Sequence, residues 1–363
     1  MIKRFFALAM AVITTAPLLA QSVRKYSNEY MSIGVGAQAL GLSNSVVAST
    51  GDVTSGYWNP AGLTAVKSSL EMALMHSEYF AGIAKYDYAS FAAPADSQST
   101  LGFSFIRMGV DNIANTIELV NPDGSFDYNK IKSFSVADYG FLFSYARKMK
   151  VPNLSIGANA KVIYRMAGNF ARAWGFGFDA GAQYSLKNWR FGVTGRDITG
   201  TFNSWSYSLD EKMKEVLTQT GNELPTNAME ITLPRLIIGA SYKYTYHEKF
   251  GVRPEINVDM TFDGMRNTLI NSGLTSLDPH TGVEFSYSDL VYLRAGVFNI
   301  QKVLNFDGNR VYTMQPNFGV GVHFKNISLD YALANIGSQA GIPYSNVFSL
   351  KLDFYKKKKY HFE

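Results

Sequence analysis

The sequence contains no cysteine among its 363 residues. This absence excludes disulfide bonds, thiol catalysis and cysteine-ligated zinc or iron–sulfur sites. Beyond residue 20 there is also no apolar run of the ~20 residues that a membrane-spanning helix requires. A chain of this length without disulfides needs another source of stability. A closed, hydrogen-bonded sheet in a lipid bilayer is one such source.

The motifs of common enzymes are missing as well. The five histidines lie singly, with no HExxH pair, and no G-x-S-x-G or phosphate-binding glycine loop occurs. The run GVGAQALG, residues 34–41, matches a dinucleotide fingerprint in its glycines, but the strand–turn–helix context and a later acidic residue are not evident. No Ser/His/Asp set can be assembled. We therefore expect no enzymatic activity, no catalytic residue, no metal site and no cofactor.

Positive charge is concentrated at the two ends of the chain. The formal net charge is +5, of which Lys3 and Arg4 contribute two charges and the lysines at 356–359 contribute four, so the body carries about −1. Binding to nucleic acid needs a clustered basic surface. We therefore expect no nucleic-acid partner.

Residues 1–20 have the pattern of a secretory signal peptide. Lys3 and Arg4 form a basic start, an apolar stretch follows to Leu19, and Ala20 is a small residue before a cut at Gln21. The alternative is a membrane anchor, but the apolar stretch is short for a span. Export is predicted.

Segments of alternating apolar and polar residues follow one another after residue 66, and this period of two predicts strands. Trp174, Phe176 and Phe178, for example, alternate with Gly175, Gly177 and Asp179. Large apolar residues on one face and Gly, Ser, Asn and charges on the other indicate lipid outside and a partly filled lumen inside. With 14% aromatic residues, the chain is predicted to be all-β: a transmembrane antiparallel outer-membrane β-barrel of about 14 strands.

The links between the predicted strands tend to alternate in length, as short turns and long outer loops do in bacterial barrels. The short links are 94–98, 148–153, 185–188, 247–250, 288–289 and 325–326, and the long links are 109–132, 201–232, 263–279, 299–313 and 335–343. Residues 209–219 have helical spacing and predict a short helix in an outer loop, serving either as a lid or partner contact or simply as local loop structure, which we favour. The barrel is predicted to cover 67–355 and a basic periplasmic tail 356–363.

The stretch from Gly34 to Leu63 is rich in Gly, Ala and Ser, and it precedes all the predicted strands. Small residues let a backbone thread a crowded lumen, and Asn59-Pro60 favours a turn. Residues 21–66 are therefore predicted to be a periplasmic leader and an N-terminal hatch that plugs the barrel; the alternative is a leader alone. The hatch motif comprises Gly34, Gly36, Gly41, Tyr57, Trp58, Asn59, Pro60 and Ala61.

Charged residues also fall on the predicted inward faces. They are Lys161, Arg190, Arg196, Lys243, Glu255, Asp259, Glu284, Arg294 and Asp330. One hypothesis is a lumen selective for charged solutes, and the other is a salt-bridged network that fills the lumen. We favour the network because buried charges need partners.

The run from Gly34 to Leu63 resembles the N-terminal signature of the PorV/PorQ family, outer-membrane proteins within the wider FadL-like barrel group. Further marks are His76-Ser77-Glu78-Tyr79-Phe80 with Asp87-Tyr88, Leu233-Pro234-Arg235, and Leu329-Asp330-Tyr331-Ala332-Leu333. The Asn59-Pro60-Ala61 triplet is similar to the NPA motif of FadL-like hatches. The resemblance implies a 14-stranded barrel with a hatch in the bacterial outer membrane.

Two functions follow from this resemblance. The first is a non-enzymatic component of the type IX secretion system, with a translocon, a sortase complex or secreted cargo domains as partners. The alternative is a FadL-type transporter that carries hydrophobic small molecules across the outer membrane, with a hydrophobic ligand inside the barrel. Outer-membrane lipid surrounds the protein in both hypotheses. The sequence favours the first.

Overall fold

The structure is a computed structural model that describes residues 27–121, 123–304, 307–336 and 344–356. The predicted signal peptide, residues 1–20, lies outside the described residues. So does the predicted basic tail, except for its first residue, Lys356.

The described residues form fourteen barrel strands. Their bounds are β1 Leu70–Tyr79, β2 Ala84–Pro94, β3 Ser99–Asn115, β4 Lys132–Lys148, β5 Leu154–Ala167, β6 Ala171–Leu186, β7 Trp189–Arg196 with Thr201–Tyr207, β8 Met229–Thr232 with Arg235–Tyr242 and Tyr244–Tyr246, β9 Phe250–Thr261, β10 Ser276–Tyr287, β11 Val291–Leu304, β12 Arg310–Phe324, β13 Ile327–Ala334 and β14 Ser345–Phe354. Strands β7 and β8 are interrupted, but each occupies one position in the wall, since both pieces of β7 pair with β6.

Each strand pairs with its neighbours in an antiparallel arrangement, and β14 pairs with β1 from Leu70↔Phe354 to Glu78↔Asn346. That last pairing closes the sheet, so no edge strand is left unpaired. The predicted fold, an antiparallel barrel of about 14 strands, is confirmed. An even strand number places the start of β1 and the end of β14 at the same end of the barrel.

The outward face is apolar over most of the wall. Trp174, Phe176 and Phe178 on β6 are 52%, 47% and 51% exposed, while their neighbours Ala173 and Asp179 are buried. This is the alternation expected where lipid lies on one side and a filled lumen on the other.

One end of the barrel, here called the turn end, carries only short connections between consecutive strands. The opposite loop end carries longer connections, including 116–131, 208–228 and 262–275. Several predicted long links are too long. Strands β11 and β12 extend to Leu304 and from Arg310, and β10 begins at Ser276. The alternation signal fails there because strand ends that project from the apolar band do not need an apolar face.

The helices are short. They are α1 Ala37–Gly41, α2 Ser55–Trp58 and α3 Glu211–Gln219, with 3₁₀ turns at Glu29–Ser32, Pro60–Ala65 and Tyr128–Lys130. Helix α3 lies in the loop where the spacing predicts it, and the Asp210 carboxylate caps it by accepting a hydrogen bond from the backbone N of Met213 at 2.7 Å. Among the described residues, no helix has the length and apolarity to cross a membrane.

Residues 27–66, here called the lumenal segment, lie inside the barrel. Its apolar side chains form the main hydrophobic core with the inward faces of β1, β2 and β3; Trp58 and Leu63 pack with Tyr86, Tyr88 and Ile106. The inward face of these three strands is therefore apolar, unlike that of β9 to β12.

Candidate functional site

The Asn59-Pro60-Ala61 turn fixes the lumenal segment to the wall. Asn59 is 0% exposed, and its Nδ2 donates hydrogen bonds to the carbonyl oxygens of Val47 at 3.0 Å and Ala182 at 3.1 Å. Its Oδ1 accepts from the backbone N of Ala61 at 3.2 Å. One amide side chain thus joins two parts of the segment to β6.

Glycines in the wall allow this close approach. A Cβ on Gly157 of β5 would lie 2.5 Å from the carbonyl carbon of Pro60, and a Cβ on Gly181 of β6 would lie 2.2 Å from Asn59 Oδ1. Both distances are below any real Cβ contact. The glycines of the alternating strands therefore form a socket for the turn.

Tyr57 and Trp58 anchor the segment from within. Trp58 Nε1 donates to the carbonyl of Val35 at 2.9 Å, and the Tyr57 hydroxyl donates to the carbonyl of Met31 at 2.6 Å. The guanidinium of Arg196 lies 4.4 Å from the centre of the Tyr57 ring and 5.4 Å from that of Trp58. This buried cation is held by the two rings and by its hydrogen bond to the Tyr57 carbonyl at 3.1 Å.

The three glycines in the first half of the hatch motif are required by the backbone conformation and by close packing. Gly34 and Gly36 have φ of +104° and +83°, which disfavour a side chain. Gly41 packs against Gly319 of β12, whose Cα would lie 2.9 Å from a Cβ at position 41. Asn317 Nδ2 donates to the carbonyl of Leu40 at 2.9 Å. These contacts hold α1 against the wall opposite the Asn59 socket.

Five of the nine predicted lumen charges lie in three groups. In the first, Arg294 Nε donates to Glu284 at 2.7 Å and its Nη1 to Asp330 at 2.6 Å. Arg253 pairs with Glu284 at 2.9 Å, and His323 lies 3.4 Å from Asp330. The group bridges β9 to β13 across the inner surface.

In the second group, Asp259 contacts His280 Nε2 at 3.1 Å and Arg235 at 3.6 Å. In the third, Lys161 pairs with Asp179 at 2.8 Å and also with Asp197. These side chains are paired with one another, which is the arrangement buried charges require.

Besides Arg196, which lies beside Tyr57 and Trp58, three predicted residues lie apart from these groups. Glu255 Oε1 accepts a hydrogen bond from the backbone N of Ala48 at 2.8 Å, and Arg190 Nη1 donates to the carbonyl of Ser49 at 3.2 Å. Both therefore hold the lumenal segment. Lys243 lies at the turn end with a side chain 54% exposed, 3.9 Å from Asp289.

Sequence reasoning missed several partners. Asp179, Asp197, Arg235, Arg253 and His280 complete the charge groups. Alternation places Asp179 on the polar face of β6, but its pairing with Lys161 depends on the register between strands, which alternation does not give. Among the described residues, no group of three or more His, Asp and Glu side chains is arranged to hold a metal ion.

Asp52 in the lumenal segment pairs with Lys351 of β14 at 3.0 Å. Burial opposes ionisation of Asp52, but the charge of Lys351 and hydrogen bonds from Thr54 outweigh it and hold the pKa of the Asp52 carboxyl below its ordinary value of 3.8. This ion pair is a further anchor between the segment and the wall, on the seam that closes the barrel.

A cavity of about 260 Å³ lies between the lumenal segment and the wall. Val35, Val46 and Met75 contribute apolar surface, whereas Arg190 and Arg253 lie toward the turn end. The cavity thus has an apolar side and a charged side. A second cavity of about 30 Å³ lies where β7 and β8 are interrupted, beside Asp197, Leu233 and Pro234, and its lining includes Lys161 and Arg196.

Comparison with known proteins gives structural relatives only. No family model and no curated protein matches the sequence. The CymD monoaromatic hydrocarbon channel superposes with a TM-score of 0.55 at 13% identity, over 89% of this chain and 98% of that one. The Ralstonia pickettii toluene transporter TbuX gives 0.53 at 13% identity over 89% and 99%, and the P. putida toluene transporter TodX gives 0.54 at 12% over 89% and 99%.

At such identities the likeness concerns the fold. The chain is a closed, 14-stranded antiparallel barrel whose fold is similar to that of these transporters.

Proposed function

We propose that this protein is a FadL-type transporter that carries hydrophobic small molecules across the bacterial outer membrane. The observation that carries the proposal is the cavity of about 260 Å³ between the lumenal segment and the wall. Its fold is also that of hydrocarbon channels. The sequence alone favours the secretion role, with transport as the alternative. We therefore reverse that order and prefer transport.

The cavity suits a small ligand with an apolar body. Its volume is just below the range of roughly 300–1,000 Å³ typical of ligand pockets, which favours molecules of one or two rings over long chains. The apolar side chains of Val35, Val46 and Met75 would take up the body of the ligand. The charged side near Arg190 and Arg253 would lie toward the periplasm, where water meets the ligand.

The test is binding of a fluorescent naphthylamine to the purified protein in lipid nanodiscs. Gln38 is half-buried, lines the cavity and lies 3.4 Å from Glu284. Gln38→Trp should fill the space and weaken binding at least ~10-fold, a loss of about 1.4 kcal/mol. Lys67→Trp, at an exposed position outside the cavity, is the matched control. Equal binding to Gln38→Trp and the parent protein, or binding no better than to empty nanodiscs, would overturn the proposal.

A second candidate is the type IX secretion component implied by the PorV/PorQ resemblance. It is favoured by the outer helix α3, which leaves Met213, Val216 and Leu217 partly exposed on one face. Such a face suits a translocon, a sortase complex or a cargo domain. A pull-down from detergent-solubilised membranes tests it, together with the secretome of a deletion strain. An unchanged secretome would exclude this role.

A further inference from the structure

One sector of the lipid-facing surface is charged. On β1, β2 and β3 the outward faces carry His76, Glu78, Lys85, Asp87, Arg107 and Asp111. Among the strand residues that the structure describes, the outward faces of the other eleven strands carry charged side chains only within two residues of a strand end. Glu78 and Lys85 also lie one residue from a strand end, but His76, Asp87, Arg107 and Asp111 lie further inside their strands. Among the described strand residues, outward charges away from strand ends are therefore concentrated on three adjacent strands.

These six side chains, here called the charged sector, form one network. His76 Nδ1 lies 2.7 Å from Asp87, and Arg107 lies 3.5 Å from Asp87 and 3.6 Å from Asp111. Lys85 lies 3.8 Å from Asp111. The sector holds three basic and three acidic groups.

Its position makes the sector costly in lipid. Arg107 pairs in register with Asp87, three residues from the loop end of β2, and its guanidinium lies over Gly109, where a Cβ would come within 2.8 Å of Nη2. An outward-facing Arg or Lys costs roughly 2–4 kcal/mol at the bilayer midplane and less toward the interface. Pairing within the sector lowers this cost, yet all six side chains keep exposed surface.

An apolar groove of about 600 Å³ adjoins the sector on the outer surface. Leu74, Ala89 and Phe105 line one side, and Val320 and Phe348 line the other, with His76 and Asp87 at its edge. The groove crosses the β1–β14 seam. A body seated against this wall would therefore meet apolar surface and charges side by side.

The order of charges is self-complementary. In register, His76, Asp87 and Arg107 form one row, with the carboxylate between the imidazole and the guanidinium. Toward the loop end, Lys85 is flanked by Glu78 on one side and Asp111 on the other, with the base in the middle. Consider a two-fold axis along the membrane normal between β2 and β3. Asp87 of each copy would then face Arg107 of the other, and Lys85 of each copy would face Asp111 of the other.

We propose that the charged sector is the interface on which a second copy of this protein docks, forming a two-fold dimer in the membrane. Two-fold dimers bury the same patch on both subunits, which requires such self-complementarity. The outward side chains are already removed from bulk water, so pairing with the second copy replaces lipid rather than hydration. A phosphate-bearing lipid suits the sector less well, because three carboxylates offset its three bases.

The absence of cysteine makes a direct test possible. Ala89 faces outward on β2 beside the groove, and Ala180 faces outward on β6 in a sector without charges. Single Ala89→Cys and Ala180→Cys variants are treated in intact outer membranes with a short bis-maleimide. The inference expects a crosslinked band of twice the subunit mass for Ala89→Cys alone.

A charge-reversal experiment separates pairing between copies from pairing within one. In the Ala89→Cys background, Asp87→Arg and Arg107→Asp are made in differently tagged copies. Each alone should lose at least ~10-fold of the dimer, because like charges then meet across the axis. Co-expression should restore a mixed dimer, since each copy supplies the charge that the other lacks. Heat-modifiability on gels shows that each variant is a folded barrel.

Three results would overturn the inference. One is a dimer band no stronger than that of Ala180→Cys, and another is no recovery on co-expression. The third is evidence for a different occupant of the sector. This would be either a crosslinked adduct of Ala89→Cys with another protein, or lipopolysaccharide that co-purifies with the parent protein and is lost in Arg107→Asp.

Discussion

The Asn59→Ala substitution tests whether the NPA turn holds the lumenal segment in the barrel. The change leaves the buried N–H of Ala61 without its acceptor, at a cost of about 1–3 kcal/mol. The two shorter hydrogen bonds donated by Nδ2, at 3.0 and 3.1 Å, are worth roughly 0.5–1.5 kcal/mol each. The carbonyl of Val47 keeps a second donor, Gln183 Nε2 at 3.2 Å. We therefore expect a loss of about 2–5 kcal/mol.

Two assays measure this loss. The midpoint of guanidinium chloride unfolding in detergent micelles should fall, and single-channel recordings in planar bilayers should show intermittent openings as the segment loosens. Asn188→Ala, in an exposed two-residue turn between β6 and β7, is the matched control and should change neither. If Asn59→Ala kept both the midpoint and the closed state of the parent, the hydrogen bonds of Asn59 would not be what holds the segment.

Three further outcomes are expected. Gly181→Val should expose the lumenal segment to protease, because its Cβ would meet the asparagine of the turn at 2.2 Å, whereas Gly273→Ala, in open space, should not; equal cleavage would contradict the socket. Arg294→Met should lower the free energy of unfolding in denaturant by about 3–5 kcal/mol, since two carboxylates lose their buried partner. A loss of stability smaller than that caused by an Arg→Met change at an exposed position would contradict this. The pKa of Asp52 is lowered in the fold, so the stability that its pairing with Lys351 contributes is present above pH 3.8 and is lost as the pH falls below it. Asp52→Asn should remove this acid-dependent part of the unfolding midpoint. An unaltered pH profile of the midpoint would contradict the assignment.

The strand number and the outward face follow from the sequence because lipid imposes a period of two. Trp174, Phe176 and Phe178 show that period without any knowledge of their neighbours. The lumenal position of the glycine-rich segment before the strands can also be predicted from the sequence. Only a backbone with small side chains can approach a wall as closely as Pro60 approaches Gly157.

The pairing of charges does not follow from the sequence. Lys161 meets Asp179 through the β5–β6 register and Asp197 only because β7 is interrupted there. The rule that polar residues face the lumen also reverses on β1 to β3. Tyr86 and Tyr88 face inward and are buried, while Asp87 faces out, because the lumenal segment supplies an apolar core on that side.

The anchors of the lumenal segment constrain any route through the barrel. Asn59 bonds to β6, Glu255 of β9 binds the backbone at Ala48, Asn317 of β12 binds that at Leu40, and Lys351 of β14 pairs with Asp52. Breaking one buried ion pair costs about 3–5 kcal/mol, and each hydrogen bond adds roughly 0.5–1.5 kcal/mol. Expelling the segment would thus cost an amount comparable to the ~5–15 kcal/mol that stabilises a whole domain. Under the proposed transport function, the carried molecule would pass beside the segment, through the cavity that Val35 and Met75 line, so occupancy of that cavity rather than loss of the plug separates transport from secretion.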